Sequence, residues 1–271
     1  IFSSIQTGSG REGLNFESIK KIHLNLPTLP EQQKIASFLT SVDERIAQLT
    51  KKKALLEQYK KGVMQKIFSQ EIRFKDDDGK DFPNWEEVKL ESVLFEHGSK
   101  STGVEEVYSV SVHKGVINQI EHLGRSFAAK TTDHYSLVKP NDIIYTKSPT
   151  GDFPFGIIKQ NKVDKNVLVS PLYGVFTPET PFLGYILDTY FNSPINTNNY
   201  LHSIIQKGAK NTINITNQTF LSKSLTLPRS HREQEKIANF LSAIDKKIEG
   251  VDKQLEQTKR WKKGLLQQMF C

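Results

Sequence analysis

The chain reads as an α+β protein in which a β-rich body lies between two long helices. Three observations predict this class: one segment recurs about two hundred residues later, each copy carries a heptad seam, and the stretch between them is rich in β-branched and aromatic runs. At 271 residues, with 37% hydrophobic, 25% charged and 10% aromatic side chains, the composition suits a globular chain of one or two domains and excludes collagen, a disordered tail or a disulfide scaffold.

The repeat comes first. EQQKIASFLTSVDERI at 31–46 recurs as EQEKIANFLSAIDKKI at 233–248, and YKKGVMQKIF at 59–68 recurs as WKKGLLQQMF at 261–270, both 202 positions on. Upstream, LNLP (24–27) precedes the first copy and LTLP (225–228) the second, and GSGREGLNF (8–16) resembles GAKNTINI (208–215). A period of one domain plus one helix is a duplicated two-part module, since solenoid repeats are several-fold shorter.

Within each copy, apolar residues alternate at spacings of four and three. The first seam is Ile35, Leu39, Val42, Ile46 and Leu49, continuing through Lys53, Leu56, Lys60, Val63 and Ile67. The second is Ile237, Leu241, Ile244, Ile248 and Val251, continuing through Leu255, Thr258, Lys262, Leu265 and Met269. This predicts coiled-coil helices over 31–70 and 231–271, each burying its stripe against the other. Pro27, Pro30 and Pro228 punctuate the starts, and Glu31, Glu233 and Glu235 suit first turns. Gly62 and Gly264, at equivalent points, leave two readings open: room for a partner backbone, or inherited fraying ends.

Residues 71–87, EIRFKDDDGKDFPNWEE, hold seven acids to three bases and read as a solvated linker, with KDDDGKD a turn whose spacing fails the calcium-loop pattern. The body at 88–230 contains the strand-like runs 107–117, 135–146, 155–160 and 167–177, each bounded by turn residues, and one helical run, PFLGYILDTYFNS at 181–193. NSPI (192–195) reads as the end of that helix.

Catalytic chemistry finds no footing. The seven histidines (23, 97, 113, 122, 134, 202, 231) form no metal-ligand spacing, and neither a nucleophile elbow nor a P-loop appears. Gly8, Gly10 and Gly13 fit GxGxxG but lack the surrounding strand and helix of a dinucleotide site. The sole cysteine, Cys271, excludes an internal disulfide and a thiolate metal site within the chain. No apolar run approaches the ~20 residues of a membrane helix and the start lacks a signal-peptide pattern, so a cytoplasmic protein is expected. The opening at Ile1 reads as mid-domain sequence, hence a fragment.

The 37 Lys and Arg against 30 Asp and Glu, a formal +7, favour a polyanionic partner. Four loops pair cations with small polar residues: 97–103, 124–132, 145–156 and 206–215. From them the candidate DNA-binding residues are Lys100, Arg125, Lys130, Lys147, Ser148, Lys207, Lys210 and Asn211, with Asn211 or Asn214 able to read adenine bidentately. A solvated turn is the competing reading of any one loop.

The LP, EQ and KIA elements followed by a long helix, the repetition of that pattern, and the EIRFKDDDGKDFPNWEEVKL bridge together resemble the specificity subunits of type I restriction-modification enzymes. The resemblance implies that 1–30 is the tail of a first target recognition domain, 31–70 the first conserved helix, 88–230 the second recognition domain and 231–271 the second helix. It also implies that the helices run antiparallel and space two DNA-reading domains. Methyltransferase subunits carrying S-adenosylmethionine and a restriction and motor subunit would then be the partners, and this chain would be a non-catalytic reader of double-stranded DNA with no cofactor of its own. A homodimer of the chain is left open. A coiled-coil interaction scaffold without DNA binding is the alternative.

Overall fold

A computed structural model of the chain describes Lys20 and residues 26–129, 131–207 and 213–270. Two helices of 40 residues dominate it, α1 at Leu29–Phe68 and a last helix at His231–Phe270. One half of a capping box starts α1: the Glu31 carboxylate reaches back, its Oε2 accepting from Thr28 N and from Thr28 Oγ1, each at 2.9 Å. The body between the helices begins with β1 (Glu86–Lys89), β2 (Leu94–Glu96), β3 (Tyr108–Ser111), β4 (Gly115–Asn118) and the short α2 (Gln119–Leu123). It continues with β5 (Ser136–Val138), β6 (Ile143–Tyr145), β7 (Ile158–Gln160), β8 (Val167–Val169) and β9 (Gly174–Pro178). Then come α3 (Pro181–Phe191), α4 (Pro194–His202), β10 (Gln206–Lys207), β11 (Ile213–Asn214), α5 (Asn217–Leu221) and β12 (Ser224–Leu227), before the last helix, α6. The helix read at 181–193 thus ends at Phe191, and the NSPI run then starts a new helix, with Ser193 as its cap and Pro194 in its first turn.

The centre of the body is a four-stranded antiparallel sheet of order β2-β9-β6-β7. Strands β6 and β7 and most of β9 are buried on both faces, which is why IIY of β6 and GVF of β9 read as unbroken apolar runs, whereas the edge strand β2 leaves Phe95 and Glu96 exposed. Ile143, Tyr145, Ile158 and Phe176 face a cluster with Leu183, Leu187, Phe191, Tyr200 and Phe220 from the helices. Ile144 and Val175 face the opposite way, into a cluster with Tyr108, Val116, Val138, Val167 and Val169 from the paired ribbons β3-β4 and β5-β8. The body closes on itself through β1 and β12, antiparallel with Glu86 opposite Leu227.

The chain divides into two compact units, residues 1–53 with 251–271 and residues 54–250, and each long helix contributes to both. In the first unit Val42, Leu49, Val251 and Leu255 are buried, and the edge of Phe38 meets Trp261 at 5.9 Å. Asp43 pairs with Lys262, and Lys53 with Asp252 at 2.5 Å. Ten residues forward on α1 correspond to ten back on α6, so the helices run antiparallel there. In the second unit Val63 and Ile67 join Ile237, Leu241 and Ile244, but this seam is shared with Trp85 and Ile186 of the body, so it is a three-way core and more than a helix pair.

The second unit repeats the ion pair. Lys60 meets Asp245 at 2.5 Å, and the 202-residue repeat carries Asp43 onto Asp245 and Lys60 onto Lys262. One Asp–Lys pair is therefore used twice with the helices exchanging roles. The lysines that interrupt the apolar seams are thereby explained: each answers an aspartate, a device that fixes register at some cost in stability. The EQ motif has a physical role as well. Glu233, fully buried, accepts from Trp85 Nε1 at 3.1 Å and Arg73 at 3.0 Å, while Gln234 accepts from Thr180 Oγ1 at 2.6 Å and donates to the Pro228 carbonyl at 2.8 Å. Gln32 repeats that last bond, donating to Pro27 O at 2.9 Å.

The segment 71–87 is not a simple solvated linker: its acids lie outward, but Phe82 and Trp85 are buried and Phe74 packs on Phe240, because the aromatics are needed to cover α6. KDDDGKD is a turn, with Asp76 Oδ1 accepting from Asp78 N and Lys80 N and Gly79 at φ +80°. Around Gly62 and Gly264 a Cβ would meet nothing within 4 Å, so among the described residues no backbone approaches either.

Candidate nucleic-acid interface

The sheet register brings distant loops together. Both β2 and β6 run antiparallel to β9, with Glu96 opposite Phe176 and Tyr145 opposite Gly174. The segments that follow β2 and β6 therefore leave at the edge where β9 begins. Strand β5 turns back into β6 at 139–142, and Ser136 stands opposite Val169, so the start of β5 and the end of β8 share that end. Residues 99–101 lie along it, through Leu137 N to Ser99 O at 3.0 Å and Ser101 N to Tyr135 O at 3.2 Å.

Lys100 is exposed, with its Nζ 3.5 Å from Ser136 Oγ. The base of its loop is pinned by Asp142, which is buried and accepts from Lys139 N at 2.7 Å, Thr177 Oγ1 at 2.8 Å and His97 Nε2 at 2.8 Å. Lys147 and exposed Ser148 open the loop from β6 to β7. That loop is built, not slack: Tyr145 Oη donates to Phe155 O at 2.8 Å and Ile157 N to Thr146 Oγ1 at 3.1 Å. Lys147 sits in the left-handed region at φ 55°, where the Cβ of an L-residue crowds the carbonyl oxygen. Gly156, at φ +96°, packs against it so closely that a Cβ would stand 2.8 Å from Lys147 N. Burial lowers the Lys147 ammonium below its ordinary value, and the Glu96 carboxylate partly restores it.

Arg125 is exposed in the loop after α2, its guanidinium 4.5 Å from the Phe127 ring centre, and that loop is tied to the base of β5 by Ala129 N to Tyr135 Oη at 3.2 Å. Lys207 stands in β10 with its backbone opposite Ile213, whereas Lys130, Lys210 and Asn211, and the glycines at 8, 10 and 13, lie outside the described residues. The structure thus brings Lys100, Lys147 and Ser148 to one end of the sheet.

Sequence reasoning missed two members of that end. Asn217, which opens α5, donates from Nδ2 to Glu96 Oε1 at 2.6 Å, joining residues 121 positions apart. Its own Oδ1 is buried with no hydrogen-bond partner, 2.7 Å from where a Cβ on Gly174 would lie. The only sequence signal was the TNQTF cap, which points to a helix start and not to Glu96. Among the described residues no group of His, Cys, Asp and Glu is arranged to hold a metal ion, and no helix is long and apolar enough to cross a membrane.

The chain belongs to the family described as the type I restriction modification DNA specificity domain, which it matches over residues 1–58 and 84–260. Among its relatives is the type I restriction enzyme MjaVIII specificity subunit of Methanocaldococcus jannaschii, 25% identical over 278 residues, covering 96% of this chain and 64% of the relative. The putative MjaX specificity subunit of the same organism is 26% identical over 281 residues, covering 94% and 60%. The chain therefore spans less than two thirds of the length of these relatives. In fold it is similar to the S subunit of a type I restriction-modification system from M. genitalium, with a TM-score of 0.59 at 14% identity over 99% of this chain and 68% of that one.

Proposed function

We propose that this chain reads a short sequence in double-stranded DNA as a non-catalytic specificity subunit of a type I restriction-modification complex. Family membership is the observation that carries the reading, and the gathering of Lys100, Lys147 and Ser148 at one end of the sheet supports it. Lysines there meet phosphates and fix the register of the protein on the duplex, while small polar side chains reach base edges. The long helices act as the spacer and as the docking surface for methyltransferase subunits, which bring S-adenosylmethionine and perform the transfer; a restriction and motor subunit completes the complex. Arg125 is a further candidate contact, and Lys130, Lys207, Lys210 and Asn211 are candidates on the sequence alone.

Selection from a randomised duplex pool, with the chain alone and with its methyltransferase subunits, tests this. A short enriched motif is expected, and removal of any one phosphate-contacting lysine should flatten the salt dependence by about one unit. A folded protein that enriches nothing in either condition refutes it and leaves the interaction scaffold.

A further inference from the structure

We propose that Glu96 is a specificity-determining residue, a fixed acceptor for the exocyclic amino group of a base in the major groove, with Asn217 as its positioning residue. This rests on the DNA-recognition reading above. Glu96 is exposed at the end of the sheet where Lys100 and Lys147 lie. A carboxylate facing a polyanion weakens binding to every sequence, because it repels phosphates. It helps only where it meets a donor, and the major-groove donors of DNA are the amino groups of cytosine (N4) and adenine (N6).

The geometry favours such a role over an idle surface acid. Glu96 Oε1 is held at 2.6 Å by Asn217 Nδ2, whereas Oε2 takes no hydrogen bond among the described residues. One oxygen is anchored and the other is free to accept. Anchoring removes side-chain freedom before the ligand arrives, which sharpens discrimination. Lys147 stands close enough to interact electrostatically with Glu96, held on a strained backbone that Gly156 closes from behind. Its charge lies within electrostatic range of the acceptor and offsets part of the repulsion that Glu96 alone would exert on the nearest phosphate. Strain of this kind persists where the surroundings over-determine it, commonly at functional sites.

The test compares the chain, bound to its methyltransferase subunits, with its Glu96→Gln and Glu96→Asp forms in the same duplex selection, followed by titration on the enriched motif. For Glu96→Gln the expected result is loss of preference at a single base pair by about tenfold, with the salt slope unchanged and binding to unrelated duplex equal or tighter. Duplexes in which one base lacks only its amino group, purine for adenine or 2-pyrimidinone for cytosine, distinguish the two sources: one of them should weaken the unaltered protein about tenfold and leave Glu96→Gln indifferent. Asn217→Ala should blur the same base pair and no other. A Glu96→Gln protein that keeps the full motif, or that weakens all positions alike, overturns the proposal while DNA recognition stands. If Glu96→Gln unfolds, the amino-deleted duplexes with Glu96→Asp decide, an undiminished response at every adenine and cytosine refuting the assignment. Absence of any motif for the unaltered complex would remove the DNA-recognition reading itself.

Discussion

Leu39 and Leu241 occupy the same position in the two copies of the repeat, yet shortening them should have unequal consequences. Leu241 is fully buried in the cluster of Val63, Ile67, Trp85, Ile186, Ile237 and Ile244, while Leu39 is only partly buried. Leu241→Ala removes a side chain whose burial contributes about 1.5 to 3 kcal/mol and leaves a cavity that this mixed core of helix and domain residues can close only in part. The expected loss is about 3 kcal/mol, a large share of the stability of a typical domain. Leu39→Ala removes less buried surface and opens to solvent, so about 1 kcal/mol is expected. Urea unfolding measures both, and the two tryptophans supply a reporter for each unit: Trp85 in the unit of residues 54–250 and Trp261 in the other. Trp261→Phe and Trp85→Phe backgrounds isolate them. Equal losses from the two substitutions, each read by its own tryptophan, would refute the claim that the body makes the second seam a three-way core.

Alkaline pH should destabilise the protein. Burial raises the phenols of Tyr145, Tyr173, Tyr185, Tyr190 and Tyr200, and at Tyr185 the Asp245 carboxylate adds to it. The folded state keeps protons that the unfolded chain releases above pH ~10, so stability falls as pH rises through that value. Lys147 and Lys159, lowered by burial, act in the opposite sense up to about pH 10.4, but five phenols outweigh two ammonium groups. Melting temperatures from pH 8 to 11 should therefore drop above pH 10, and a flat profile would contradict this. Gly62→Ala, at a helical site with nothing within 4 Å of the new carbon, should stabilise by up to ~1 kcal/mol in thermal melts. Gly156→Ala, with φ +96° and a Cβ 2.8 Å from Lys147 N, should cost roughly 1 to 3 kcal/mol and weaken duplex binding; a neutral result would mean that the Lys147 loop can relax freely.

Legibility followed the range of the interactions. Heptad spacing places helices at 31–70 and 231–271, and the helices run Leu29–Phe68 and His231–Phe270. The run at 107–117 resolves into the β3-β4 hairpin, and the run at 167–177 covers β8 and most of β9, since their β-branched residues and intervening turns are local signals. Short polar elements were not legible: β1 and β12 carry EEVK and SLTL, which become strands only by pairing with each other. Likewise the acids of 71–87 masked the aromatics Phe82 and Trp85, whose burial depends on α6 being there to receive them.

The amino-acid sequence alone determined the duplicated plan, the two helices, the α+β class and the family resemblance, because periodicity and repetition are properties of neighbouring residues along a chain. Only the tertiary structure decided that the seam lysines answer aspartates on the other helix, that Glu233 and Gln234 clamp the body onto α6, and that Asn217 holds Glu96. Those pairs join residues more than fifty, and in most cases more than a hundred, positions apart. Their meeting is set by packing of the whole core, which no local pattern encodes.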